Sequence, residues 1–167
     1  MTRGELNCNP LNIRRVAGTH WKGEILPSIQ GGATGVFRGA TECGSGPTKG
    51  SNYPVATEVG GGSFVRFESI EYGLRAAFVL LRTYSAKYHA NCIRDIISRW
   101  APPSENNTEK YIRNVCLWTG FGGNERLTEK EWPRLVQAMA RQECGVILDE
   151  DVIQKGYALY QESKQIK

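Results

Sequence analysis

From Ser69 onward, apolar residues recur at steps of three and four. Leu74, Ala77, Phe78, Leu81, Tyr84 and Tyr88 form one stripe, the pattern of a helix with a single buried face, and Ser69 stands where its N-cap belongs. Asn91 is placed to cap a second helix carrying Ile93, Ile96, Ile97 and Trp100, which Pro102 and Pro103 stop. A third starts at Asn107 or Thr108, carries Tyr111, Ile112, Val115 and Trp118, and meets a natural end at Gly120. Thr128 and Glu131 have capping-box spacing. The stripe after them is Trp132, Leu135, Val136 and Met139, with Gly145 past its end. A fifth helix, roughly 151–162, carries Val152, Ile153, Gly156, Tyr157 and Tyr160. Five helices joined by short loops predict a mainly α, compact helical domain.

Residues 1–67 read differently. Between 31 and 62 the glycines crowd: Gly31, Gly32, Gly44, Gly46, Gly50 and Gly60 to Gly62. Such density disfavours helix and permits turns. Short strands are expected at 35–38 and 63–67, the second with half-buried alternation, and together they suggest a small hairpin. Too little apolar sequence precedes this stretch for a separate core, so the chain is expected to be one domain, 1–167. Residues 28–62 are expected to be an insertion, a surface flap held by Phe37 and Tyr53.

The composition excludes several classes. With 167 residues, 40% hydrophobic and 23% charged, the chain has a globular balance rather than a disordered one. Its net charge of +4 favours anionic partners mildly but falls short of a basic nucleic-acid arm. Arg94, Arg99, Lys110 and Arg113 lie on the second and third helices, yet the connection through Pro102 and Pro103 is too long for a helix-turn-helix, so nucleic acid is not the expected partner. Five cysteines, an odd number without CxxC spacing, suggest reduced thiols rather than a disulfide framework. Two histidines, His20 and His89, lack a ligand partner at helical spacing, so neither a metal nor another cofactor is expected. Residues 1–6 lack the apolar run of a signal peptide, and the run from Ala76 to Leu81 is too short to span a bilayer. The protein is expected to be made in the cytoplasm.

Carboxylates hold the candidate chemistry. Glu143 falls at the end of the fourth helix, just before Gly145. A carboxyl at the negative end of a helix dipole keeps its proton more readily, which suits a general acid, and glycoside cleavage needs such an acid beside a groove. A surface glutamate at a frayed end is the plainer alternative. Glu105 follows the rigid prolines, where it either lines a groove or caps a turn. Trp100 offers a stacking face for sugar, but it also fits the apolar stripe of its helix. Glu71, in the first turn of its helix, is explained by the dipole alone.

Asn7 to Arg15 followed by Trp21 and Gly23, then Phe64 to Phe67, Glu71 to Ala76, Ile97 to Pro103, Glu105 to Thr108, Tyr111, Ile112 and Glu143 to Gly145 form an ordered set. It resembles a family of phage and prophage proteins, often labelled virion structural proteins, that look like small lysozyme-like helical domains. The Asn-Pro-x-Asn-Ile-Arg pattern falls on Asn9, Pro10, Asn12, Ile13 and Arg14. Trp-x-Gly falls on Trp21 and Gly23, Gly-x-Arg-Ala on Gly73, Arg75 and Ala76, and Glu-x-Gly on Glu143 and Gly145. Cys8 and Cys144 stand where the family usually has asparagine.

The resemblance implies action on peptidoglycan or a related glycan, as hydrolase or lytic transglycosylase. Glu143 would be the acid and Glu105 the second carboxylate. Asn9, Asn12, Arg14 and Trp21 would line the groove with Trp100, Asn106 and Tyr111. Its alternative implication is a non-catalytic virion structural or wall-binding protein with virion or secretion components as partners. In that case Asn9, Asn12 and Arg14 pin the N-terminal segment to the helices. Either protein would reach the wall as part of a virion or after release.

Overall fold

Among the described residues, five helices follow one another: α1 (Ile70–Tyr88), α2 (Ile93–Trp100), α3 (Thr108–Thr119), α4 (Trp132–Cys144) and α5 (Glu150–Gln165). They belong to a computed structural model that describes residues 8–14, 20–25, 64–104 and 106–165. Among the described residues there is no sheet and no helix long and apolar enough to cross a membrane. The fold is mainly α, as the periodicity predicts.

The helix ends show what local sequence can and cannot specify. Asn107 caps α3, its Oδ1 accepting from the Lys110 N–H at 3.1 Å. Gly120 and Gly145 close α3 and α4 in the left-handed conformation, both at φ 75°. Asn91 does not cap α2. Cys92 holds that position, while the Asn91 amide accepts from Ser85 Oγ at 2.5 Å and donates to the His89 carbonyl at 3.1 Å, tying off the end of α1 instead. Of the Thr128 and Glu131 box only the return half forms: Glu131 Oε2 accepts from the Thr128 N–H at 2.7 Å and from its hydroxyl at 2.6 Å, while the Glu131 N–H donates to the Thr128 carbonyl. It closes the turn ahead of α4, which starts only at Trp132 with a proline in its first turn. Ser69 occupies the N-cap of α1 without a side-chain capping bond. Tyr88 ends the predicted stripe but is 41% exposed, with the Arg99 guanidinium 4.1 Å from its ring centre.

The core sits where α1 and α5 cross. A Cβ on Gly156 would stand 2.6 Å from Leu74 Cβ and 3.2 Å from the Glu71 carbonyl oxygen, so only glycine permits this approach. Phe78 lies edge-on to Tyr157 with centroids 5.0 Å apart and 5.9 Å from Tyr160. Trp132 completes the group, 6.0 Å from Tyr160. α3 and α4 run antiparallel, since Tyr111 meets the end of α4 and Gly120 lies beside Arg134 near its start.

Glu129 fastens α5 to the turn before α4. Its carboxylate accepts from Tyr160 Oη at 3.1 Å and from Lys164 Nζ at 2.6 Å. Partial burial alone would raise its pKa, but the hydrogen bonds from Lys164 and Tyr160 and the Lys164 charge outweigh it and hold it below the ordinary 4.5. A depressed carboxylate contributes stability above its unfolded pKa and loses it as pH falls through the folded value. We expect Glu129→Gln to lower stability at neutral pH by about 1 kcal/mol, a figure that allows for solvent screening. Urea titrations should show that difference shrinking below about pH 4; a pH-independent difference would rule out the ionic contribution.

The N-terminal segment lies directly on α1. A Cβ on Gly73 would stand 2.3 Å from the Cys8 carbonyl oxygen, which accounts for the glycine of the Gly-x-Arg-Ala pattern. Leu11 and Ile13 are buried in the core, as are Val65 and Phe67. The expected strand at 63–67 keeps its burial pattern over these positions but pairs only through isolated antiparallel bridges, Arg14 with Phe64 and Glu24 with Phe67. The strand expected at 35–38 and the flap at 28–62 lie outside the described residues. The cysteines depart from expectation: Cys8 is disulfide-bonded, while Cys92, Cys116 and Cys144 are reduced thiols. An odd count rules out pairing all five, not pairing some of them.

Candidate functional site

Glu143 is the penultimate residue of α4, half-buried, with Gly145 turning the chain away behind it. Among the described residues, two parts of the chain reach its carboxyl. Tyr111, on the buried stripe of α3, donates from Oη to Glu143 Oε1 at 3.1 Å, with the Met139 carbonyl 3.5 Å away. Asn12 donates from Nδ2 to Glu143 Oε2 at 3.0 Å.

Each partner is there for a physical reason. A buried tyrosine needs a partner for its hydroxyl, and Tyr111 is only 5% exposed. Burial, then the Glu143 charge and the hydrogen bond to it, push the Tyr111 pKa well above 10. Its hydroxyl therefore stays protonated and remains a donor at any physiological pH. Asn12 sits at φ 52°, a left-handed backbone that asparagine tolerates better than most residues. Its N–H donates to the Asn9 carbonyl at 3.0 Å, closing a tight turn. Asn9, fully buried, anchors that turn. Its Oδ1 accepts from the Ile13 N–H at 2.8 Å, and its Nδ2 donates to the Ile13 and Val65 carbonyls at 2.8 and 3.0 Å.

Asn12, Tyr111 and Glu143 are thus brought together, with Asn9 behind them. The other candidates lie elsewhere. Trp100 packs against the core, with Tyr84 edge-on at 6.3 Å. Asn106 lines an open concavity with Ser98, Pro103, Asn107, Thr108 and Glu109, just ahead of and at the start of α3. Trp21 is half-buried, and its backbone N–H donates to Glu24 Oε2 at 2.9 Å. Arg14 is exposed beside its bridge to Phe64. Glu105 lies outside the described residues. Cys144, at the position of a family asparagine, is buried, with its thiol on the Ala140 carbonyl at 3.0 Å.

Sequence reasoning placed Tyr111 as a sugar contact and missed its bond to Glu143. The only available signal was a tyrosine on a buried stripe, whose hydroxyl must find a partner. Among the described residues, no group of three His, Cys, Asp or Glu could hold a metal ion. Chemically, the site is one carboxyl held by two neutral donors, able to give or take a proton while its position stays fixed.

Tyr111→Phe removes one of these donors and little else. We expect a stability loss of about 1 kcal/mol and, if Glu143 is catalytic, about a tenfold fall in turnover from its looser placement. Denaturation and turbidity assays would read the two effects separately. Unchanged values in both would show that the hydroxyl does not hold the carboxyl.

No family model matches the chain. The chain is 34% identical over 145 residues to Protein P5 of Pseudoalteromonas phage PM2, a match that covers 86% of this chain and 71% of that protein.

Proposed function

We propose that this chain, which belongs to the family of Protein P5 of Pseudoalteromonas phage PM2, cleaves bacterial cell-wall glycan with Glu143 as its proton-transferring group. Membership makes it a phage-related protein. The glycan reading is supported above all by Glu143 itself, a half-buried carboxyl at a helix end, held on both oxygens by Tyr111 and Asn12. Positioning of this kind is what acid–base catalysis requires.

In this reading Glu143 protonates the glycosidic oxygen as the bond to the sugar's anomeric carbon breaks. Glu105 is the carboxylate assigned to the attacking water or to the developing cation. The helical domain would then be a lysozyme-like scaffold. The groove would run past the concavity at the start of α3, where Asn106 lies, with Trp100, Trp21, Arg14 and Asn12 along its walls and Asn9 buried beneath, holding the turn that carries Asn12. Peptidoglycan is the polymer, and delivery as part of a virion or after release brings the protein to the wall. Zymography on purified peptidoglycan with wild type and Glu143→Gln tests it: clearing by the wild type alone supports the reading, and equal clearing or none by either sinks it.

One observation favours a second reading. Both Glu143 oxygens are occupied from within the chain, and Asn9 is wholly engaged in holding backbone. That pattern also suits a non-catalytic virion structural or wall-binding protein. Such a protein would bind peptidoglycan or a virion component without releasing soluble fragments.

A further inference from the structure

We propose that Asn12 is a two-state partner of Glu143, its side-chain amide turning to match whichever protonation form the carboxyl is in. What carries this is an asymmetry between the two ends of the amide. Nδ2 donates to Glu143 Oε2 at 3.0 Å. Oδ1 is buried and has no hydrogen-bond partner among the described residues.

A buried amide is normally held in one orientation by partners at both ends. Asn9, three residues earlier in the same turn, is an example: its Oδ1 and Nδ2 are both engaged. At Asn12 no acceptor-side partner fixes the choice, so the carboxyl decides it. Towards a charged Glu143 the amide presents its N–H. Towards a protonated Glu143 a half-turn presents Oδ1, which accepts the carboxyl O–H. An alanine or leucine could serve neither form, and a carboxylate could serve only the protonated one.

The surroundings restrict movement to the side chain. The turn is locked by Asn12 N–H on the Asn9 carbonyl and by Asn9 on Ile13 and Val65. Among the described residues, few groups meet Glu143. Tyr111 comes from α3, and its hydroxyl can rotate to donate or accept at Oε1. The Cys144 thiol, next along α4, interacts with Tyr111. The N-terminal segment brings the neutral amide itself. A general acid starts protonated and ends charged, so a partner suited to both forms holds the carboxyl in place throughout. This functional meaning rests on the glycan-cleavage reading, whereas the coupling of amide to carboxyl does not.

The test follows two nuclei in the full-length wild-type protein by NMR, the Asn12 side-chain amide nitrogen and the Glu143 carboxyl carbon, between about pH 3 and 8. We expect both to move through one common midpoint, and the Asn12 step to vanish in Glu143→Gln. An amide resonance that stays still while the Glu143 carbon titrates would overturn the proposal. A kinetic arm uses Asn12→Gly, which keeps the left-handed backbone and removes the amide. Its kcat should fall about tenfold or more with KM changed by less than about twofold, and an unchanged kcat would also overturn the positioning role. If the wild type clears no peptidoglycan yet the amide tracks the carboxyl, the glycan reading fails and the Asn12 coupling stands.

Discussion

Glu143→Gln is expected to lower peptidoglycan clearing about 10²–10⁴-fold, the usual range for removing a positioned proton-transfer group, while leaving the fold intact. Glutamine keeps the shape of the side chain and an oxygen to accept from Tyr111 Oη. Its amide would face the Asn12 amide, donor against donor, unless Asn12 turns and offers Oδ1. That oxygen has no competing partner among the described residues, so the turn sacrifices no existing bond. The stability change should therefore stay within about 1 kcal/mol. Zymography and a denaturation curve on the same sample separate the two outcomes. Full clearing by the variant would show that Glu143 moves no proton and would leave the structural reading standing. A variant that neither folds nor clears would place Glu143 among the residues that hold α3, α4 and the N-terminal segment together.

The largest stability effect is expected at Asn9. The side chain is fully buried and makes three hydrogen bonds, two to Ile13 and one to Val65. Alanine would strand the Ile13 N–H and the Val65 carbonyl away from water, while the Ile13 carbonyl keeps the Val65 N–H at 2.9 Å, and each stranded group costs about 1–3 kcal/mol before the chain relaxes. With relaxation we expect a net loss of about 3 kcal/mol, which corresponds to roughly 6–12 °C in the thermal midpoint for a chain this size. The Asn12 turn rests on the same residue, so activity should fall with stability. Asn9→Asp is the sharper control: it keeps the acceptor for the Ile13 N–H but turns a carboxylate towards two carbonyls, and should be at least as damaging. A midpoint unchanged in Asn9→Ala would show that the N-terminal segment adds nothing to the stability of the helices.

Helix identity was written in the sequence because a buried helix face needs apolar residues at a fixed local period. Leu74, Ala77, Phe78 and Leu81, like Leu135, Val136 and Met139, declare their helices without reference to the rest of the chain. Gly120, Gly145 and Asn107 were equally legible, since an end that needs a left-handed residue or a capping oxygen needs it locally. Asn91 and the Thr128–Glu131 box show where this stops. A short polar side chain has several backbone groups within reach, and the surrounding packing selects which one it meets. Asn91 therefore closes α1 instead of opening α2, and the box closes a turn one step ahead of α4.

The position of Glu143 at a helix end could be read from Gly145 alone. Its partners could not. Asn12 lies 131 residues away and Tyr111 lies 32 residues away. No local period or spacing encodes such pairs, because they exist only once separate segments have packed. The close fit at Gly73 lets residues 8–14 lie on α1, Asn9 fixes the turn, and α3 lies antiparallel to α4. Only then do the amide, the hydroxyl and the carboxyl meet. The sequence supplied the three polar groups and the helix that ends at Glu143. Tertiary packing decided that they share one site, because hydrogen bonds reach about 3 Å and only the folded chain brings groups so distant in sequence within that range.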